Sequence, residues 1–192
     1  MSRLSRPPNY FASLYARNPD PWDFAASAYE REKYDATIAA LCGRRFDSVL
    51  EIGCSIGVLT ARLAGHCNRL LAIDVVDSTL DFARERCAPL SNVRFANFCM
   101  PRDWPRICDT FDLIVLSEVL YFLSPADIRR LAAQCHTGLT IGGDTLLVNY
   151  TEAIDEPCSG DEAAEIFITA SQFARVGHVR HKRYRIDLLR RP

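Results

Sequence analysis

A short apolar run, SVLEI, enters the turn Gly53-Cys54-Ser55-Ile56-Gly57 and leaves it as the helical stretch VLTARLAGHC. No other feature of the chain constrains its fold as much. A strand that passes through a glycine turn straight into a helix is the opening unit of a parallel βαβ arrangement. Gly53 permits the tight turn, and Gly57 lets the backbone lie close under a ligand at the helix start. Strand and helix signals then alternate: RLLAIDV, STLDFARERC, VRFANF, FDLIVLSEV, SPADIRRLAAQCHTGL, DTLLVNYT and the late helix GDEAAEIFITASQF. Ser78 is a candidate N-cap for the second of these helices, and Gly142-Gly143 a turn before the fifth strand. VRHKRYRIDLLRR closes the sheet as one or two edge strands. The pattern predicts an α/β fold, Rossmann-like and doubly wound, with a mainly parallel seven-stranded sheet and helices on both faces.

With 192 residues, there is room for one domain, 1–192. Residues 1–47 form an N-terminal arm and helix over the ligand site in this reading. Ser27 followed by Glu30 fits a capping box for the helix SAYEREKYDATIAALC, in which Tyr34, Ile38 and Leu41 make an apolar stripe. Lys+Arg 23 against Asp+Glu 24 leaves a formal charge of −1, so bulk charge gives no argument for nucleic acid. No apolar run approaches the roughly 18–20 residues of a membrane span, and the basic start MSRLSRPPNYF has no apolar segment of a secretory signal. The eight cysteines, at 42, 54, 67, 87, 99, 108, 135 and 158, stand singly, with no C-x-x-C pair and no His at metal-ligand spacing. Reduced core thiols in a cytoplasmic protein, without zinc, are the expectation.

The turn carries chemistry through its charge. Asp74 ends the next strand, 21 residues after Gly53 (74 − 53), where a carboxylate can accept hydrogen bonds from both ribose hydroxyls of an adenosine. A dinucleotide enzyme prefers three glycines in G-x-G-x-x-G against its pyrophosphate. Here the pattern is E-x-G-x-x-x-G, with Glu51 two residues before the first glycine. An acid there repels a pyrophosphate but suits the amino group and sulfonium of S-adenosylmethionine.

The stretches VLEIGCSIG, AIDV and FDLIVLSEVLYFL resemble the signatures of class I S-adenosylmethionine-dependent methyltransferases over about Ser48 to Tyr150. More narrowly, DPWDF at 20–24, YEREKY at 29–34 and SEVLYFL at 117–123 are similar to the nodulation protein S family, N-methyltransferases of lipochitooligosaccharide nodulation factors. The resemblance implies a cofactor site in which Glu51, Gly53, Ser55 and Gly57 surround the methionine moiety, Asp74 holds the ribose and Val75 packs on the adenine. Asn97 either bonds the adenine edge, with Phe98 stacking nearby, or is a polar strand end bonded to water. Arg31 sits near its helix start, where it does nothing for the macrodipole. Its fork of donors suits the methionine carboxylate, and the alternative is a pair with Asp35 one turn on. Trp22 is either a lid on the cofactor or an anchor for the arm.

Ser117 and Glu118 end the fourth strand facing the reactive methyl, with Tyr121 just beyond; core packing is the alternative for Tyr121 and suits Phe122. An amine acceptor must arrive as a neutral lone pair, and Glu118 is the best-placed acid to attract the ammonium or help remove its proton. The family implies a partly deacetylated chitooligosaccharide amine. The acids Glu152, Asp155, Glu156, Asp161 and Glu162 either guide such a cation or form a solvated loop and helix start. His136 lies away from this chemistry. The basic stretch from Arg180 to Arg191 raises the rival reading of an RNA methyltransferase; another small-molecule acceptor or a non-catalytic cofactor-binding subunit are further alternatives. The expected partners are a small-molecule or oligosaccharide amine, with no nucleic acid and no membrane, for a monomer or weak homo-oligomer.

Overall fold

A computed structural model describes residues 3–104, 107 and 109–192, so the expectation for Cys108 lies outside the described residues. The chain divides into two compact units, residues 7–98 and residues 99–192 together with the segment before Pro7. No helix among the described residues is long and apolar enough to cross a membrane.

In the first unit, α1 (Pro8–Arg17) starts on a proline, which suits a first turn that needs no N–H. Ser27 caps α2 (Ala28–Ala39) by accepting from the Glu30 N–H, as the capping signature predicts. The strand β1 (Phe46–Ile52) is buried at six of its seven positions, β2 (Cys67–Asp74) pairs with it in parallel, and β3 (Val93–Asn97) pairs in parallel with β2. The order is therefore β3-β2-β1. Between them run α3 (Val58–Leu63) and α4 (Asp77–Arg86). The predicted cap of α4 is corrected: Val76, not Ser78, holds the N-cap position, and no side chain caps the helix. Asp74 takes the Val76 N–H instead, so the helix start is organised by the strand end.

In the second unit, β4 (Phe111–Ser117) pairs in parallel with β5 (Leu139–Tyr150), while β7 (Tyr184–Arg190) runs antiparallel to both β5 and β6 (Ala174–Arg180). The order is β4-β5-β7-β6. Strand pairing is thus mixed, and the late basic stretch, expected as one or two edge strands, supplies β7 as an interior strand, while the edge is β6, which lies almost wholly before that stretch. Ser124 and Ser159 cap α5 (Pro125–Gly138) and α6 (Gly160–Ser171) through the N–H groups of Asp127 and Glu162. Gly142-Gly143 makes no turn. Strand β5 begins at Leu139 directly after α5, and Gly142, at φ 75°, sits where its register against β4 shifts. A bulge needs the same left-handed freedom as a turn, which is why the two look alike in sequence.

Of the described cysteines, Cys54, Cys67, Cys87, Cys135 and Cys158 are buried core groups as expected, whereas Cys99 is half-buried and Cys42 is exposed just after α2. Cys54 packs with Ala72 and Leu80 against Phe95.

Candidate functional site

The turn after β1 is held by backbone geometry that few residues tolerate. Gly53, Ser55 and Gly57 have φ of 81°, 49° and 78°. A Cβ on Gly57 would lie 3.0 Å from both Cα and Cβ of Ala83 in α4, so only glycine fits that close approach. The N–H groups of Gly53 and Cys54 both donate to the Ile73 carbonyl, at 2.8 and 3.0 Å. Ser55 is the exception, a left-handed residue with a side chain, which costs about 1–2 kcal/mol. Two groups hold it there. Its N–H donates to Asp74 Oδ2 at 2.9 Å, and its hydroxyl lies 2.5 Å from the phenol of Tyr15.

Asp74 therefore builds the turn as well as facing it. Its Oδ1 accepts from the Val76 N–H at 2.9 Å. Burial raises its pKa, opposed by the backbone N–H groups of Val76, Ser55 and Val75. An ionised carboxylate offers roughly four lone-pair positions, so capacity remains for a ribose hydroxyl. Glu51 is buried, accepts from Thr60 Oγ1 at 2.6 Å, and has its pKa pushed up to about 7, chiefly by burial and further by the nearby Asp74 charge. A carboxyl that burial keeps partly protonated gains from a bound ammonium, and a pyrophosphate would make its environment worse.

Asn97 and Phe98 follow β3 and are tied to the end of β2: the Asn97 amide and the Phe98 N–H both donate to the Asp74 carbonyl, at 3.1 and 3.0 Å. One of the two Asn97 N–H donors thus has a backbone partner that the sequence reading did not name. Val75 is half-buried beside them. Trp22 packs edge-on against Tyr15 and stacks on Phe24, joining the arm to the turn through the Tyr15–Ser55 contact. Arg31 is exposed and does not take Asp35, which pairs with Arg62 instead; Arg31 has no ion-pair partner among the described residues. The carboxylate at the end of β2 and the buried acid at the turn fit the ribose hydroxyls and amino group of S-adenosylmethionine.

Sequence reasoning missed Tyr15. Its signal was available: Phe11 and Tyr15 recur at helical spacing, and a buried tyrosine hydroxyl needs a hydrogen-bond partner.

In the second unit, Glu118 follows Ser117 at the end of β4 with φ 59°, and its N–H donates to the Val148 carbonyl. Its Oε2 receives the Tyr121 hydroxyl at 2.6 Å and the Tyr150 N–H at 3.2 Å. A non-glycine residue in left-handed backbone at a strand end is the kind of local strain that functional sites store. Tyr121 is buried and its ring also packs against Phe122, so it serves both packing and Glu118. Tyr150 is the second residue that the sequence did not single out.

The acids after β5 are not an open negative field. Glu162 takes Arg3, Glu156 takes Arg6, Asp161 takes Arg180 and Arg185, and Glu152 takes Arg183. The late basic stretch supplies the partners of Asp161 and Glu152, with Arg190 on the buried Asp144, and the segment before Pro7 supplies the partners of Glu162 and Glu156. His136 has its Nδ1 2.9 Å from the Ser171 carbonyl and stacks on Phe173, a structural position.

A family model described as Nodulation protein S (NodS) matches residues 13–156. Nodulation protein S of Sinorhizobium fredii is 30% identical over 140 residues, which cover 72% of this chain and 63% of that protein. Nodulation protein S of Bradyrhizobium diazoefficiens is 32% identical over 141 residues, covering 72% and 65%. The chain thus spans a little under two thirds of these relatives. The crystal structure of N-methyltransferase NodS from Bradyrhizobium japonicum WM9, in complex with S-adenosyl-L-homocysteine, matches with a TM-score of 0.82 at 28% identity, covering 96% of this chain and 99% of that one. The Rossmann-like methyltransferase fold expected from the sequence is shown by this match.

Proposed function

The chain belongs to the nodulation protein S family, and from that membership we propose an S-adenosylmethionine-dependent N-methyltransferase acting on the free amine of a partly deacetylated chitooligosaccharide. When bound, S-adenosylmethionine supplies an electrophilic methyl on a sulfonium. Asp74 holds the ribose, Val75, Asn97 and Phe98 meet the adenine, and Arg31 takes the methionine carboxylate. Glu51 supplies negative charge beside the methionine amino group, at a turn shaped by Gly53, Ser55 and Gly57. Trp22 covers the cofactor from the arm.

Ser117, Glu118 and Tyr121 belong to the acceptor. The observation that supports this most is the Glu118 carboxylate, fixed by the Tyr121 hydroxyl and the Tyr150 N–H on one oxygen. An arriving ammonium is attracted to that carboxylate and gives up its proton there, so the nitrogen lone pair is available for in-line displacement at the methyl carbon. Because the carboxylate is already oriented, little ordering remains when the amine binds.

A mass-spectrometric methyl-transfer assay with matched deacetylated and fully acetylated chitooligosaccharides, plus a tRNA control, tests the proposal. Methylation of the deacetylated oligomer alone is expected, since an amide nitrogen has no available lone pair. Equal rates on both sugars, or methylation of RNA only, would end the amino-sugar reading.

A further inference from the structure

Tyr150 joins the Glu118 carboxylate to a second polar cluster. Its N–H holds Glu118, while its hydroxyl donates to Glu152 Oε2 at 2.5 Å. Arg183 completes the group: Nε donates to the same Glu152 oxygen at 3.0 Å, and Nη2 donates to the Tyr150 hydroxyl at 3.0 Å. The guanidinium also lies 5.3 Å from the centroid of the Tyr150 ring.

The cluster is built by backbone as well as by side chains. The Thr151 N–H donates to the Arg183 carbonyl at 2.9 Å, and the His181 N–H to the Tyr184 carbonyl, so the tip of the β6–β7 hairpin is fastened to the end of β5. Tyr184 lies directly opposite Tyr150 across the β5–β7 pair, with His181 stacked on it at 4.3 Å. Arg183 and Glu152 nonetheless keep 42% and 47% of their side-chain surface in water. An exposed ion pair of this kind adds little to stability, so stability does not account for three groups locked in one geometry.

We propose that Tyr150, Glu152 and Arg183 form a subsite for a neutral pyranose ring of the acceptor, next to the unit whose amine meets Glu118. Charge selects the class of ligand. An anionic group would face Glu152 and a cationic one would face Arg183. A neutral polyol meets neither penalty, and its vicinal hydroxyls match a carboxylate acceptor set beside a guanidinium donor. Preorganisation by the shared hydrogen bonds lowers the ordering cost of binding. The family match ends at residue 156, so Arg183 comes from a segment outside it.

The inference rests on the amino-sugar reading, and kcat/KM for glucosamine and for a chitin tetramer carrying one free amine and three neutral N-acetylglucosamine units separates the two. The wild type is expected to favour the tetramer, and Arg183→Gln to reduce that preference by about tenfold or more, the scale of a charged hydrogen bond. Tyr150→Phe should reduce it in the same direction, and calorimetric binding of S-adenosylhomocysteine verifies that both variants are folded. Equal use of monomer and tetramer by the wild type, or a preference that survives both substitutions, would overturn the subsite and leave the amino-sugar reading standing. Methylation of neither amino sugar would overturn both.

Discussion

Replacing Asp74 by Ala should remove stability and ligand affinity together. The carboxylate accepts two backbone N–H groups at 2.9 Å, from Ser55 and Val76, in a buried position. Each buried N–H left without a partner costs about 1–3 kcal/mol, so the gross loss is about 2–6 kcal/mol. Part of this is offset, because burial raises the Asp74 pKa and the alanine variant no longer has to desolvate that carboxylate. A net loss of about 2–4 kcal/mol remains. Urea unfolding followed by tryptophan fluorescence should show a lower midpoint at an unchanged slope, and calorimetry should show loss of S-adenosylhomocysteine binding. Asp74→Asn, which keeps one acceptor oxygen, should fall between alanine and wild type. If Asp74→Ala lost the ligand but unfolded at the wild-type midpoint, Asp74 would act on the ligand alone and the argument that it builds the turn would be refuted.

Glu118→Gln should lower kcat at least tenfold while leaving the affinity for S-adenosylhomocysteine within about twofold, since its role begins when the amine arrives; equal losses in both would place it in cofactor binding. Glu51, at about 7 in the folded protein against an ordinary 4.5, keeps its proton more tightly folded than unfolded. The folded state therefore holds more protons between pH 4.5 and 7, and stability falls as pH rises through that window, by up to about 3 kcal/mol, then levels off. Thermal melts of Glu51→Gln should lack this slope, and an identical pH profile in both proteins would contradict the assignment. Gly160→Ala would set a Cβ 1.7 Å from the Tyr150 carbonyl oxygen. The end of β5 must then shift, at a cost of about 1–3 kcal/mol or more. A lower melting temperature with reduced turnover is expected, and an unperturbed melt would show that α6 moves aside freely.

The glycine turn and Asp74 were legible because they are local: a buried strand reads as an apolar run, and left-handed backbone demands glycine beside it. Asp74 was found by its distance along the chain from Gly53. Its bonds to Ser55 and Val76 were invisible, since nothing in periodicity says where a carboxylate points. The same limit separates the Arg31–Asp35 pair, weighed as the alternative for Arg31, from the observed Arg62–Asp35 pair, 27 residues apart. Glu152 and Arg183 were noted as members of an acidic group and a basic stretch. Only antiparallel pairing of β5 with β7 brings the two together, and with them the hydroxyl of Tyr150. The burial of Tyr15 had a signal in its helical spacing from Phe11, but its partner Ser55, 40 positions away, had none.

The segment before Pro7 shows what such distances mean for a chain being made. Ser5 donates to Asp127 and receives the Ser124 N–H, Arg6 meets Glu156, and Arg3 meets Glu162, at separations of 122, 119, 150 and 159 residues. At roughly 5–20 residues per second, Arg6 leaves the ribosome about 8–30 s ahead of Glu156. Until Ser124 is made the segment has none of these partners, while β1, β2 and β3 are already available to pair. Residues 3–6 are thus among the earliest of the described residues to be synthesised and among the last to be fixed in place.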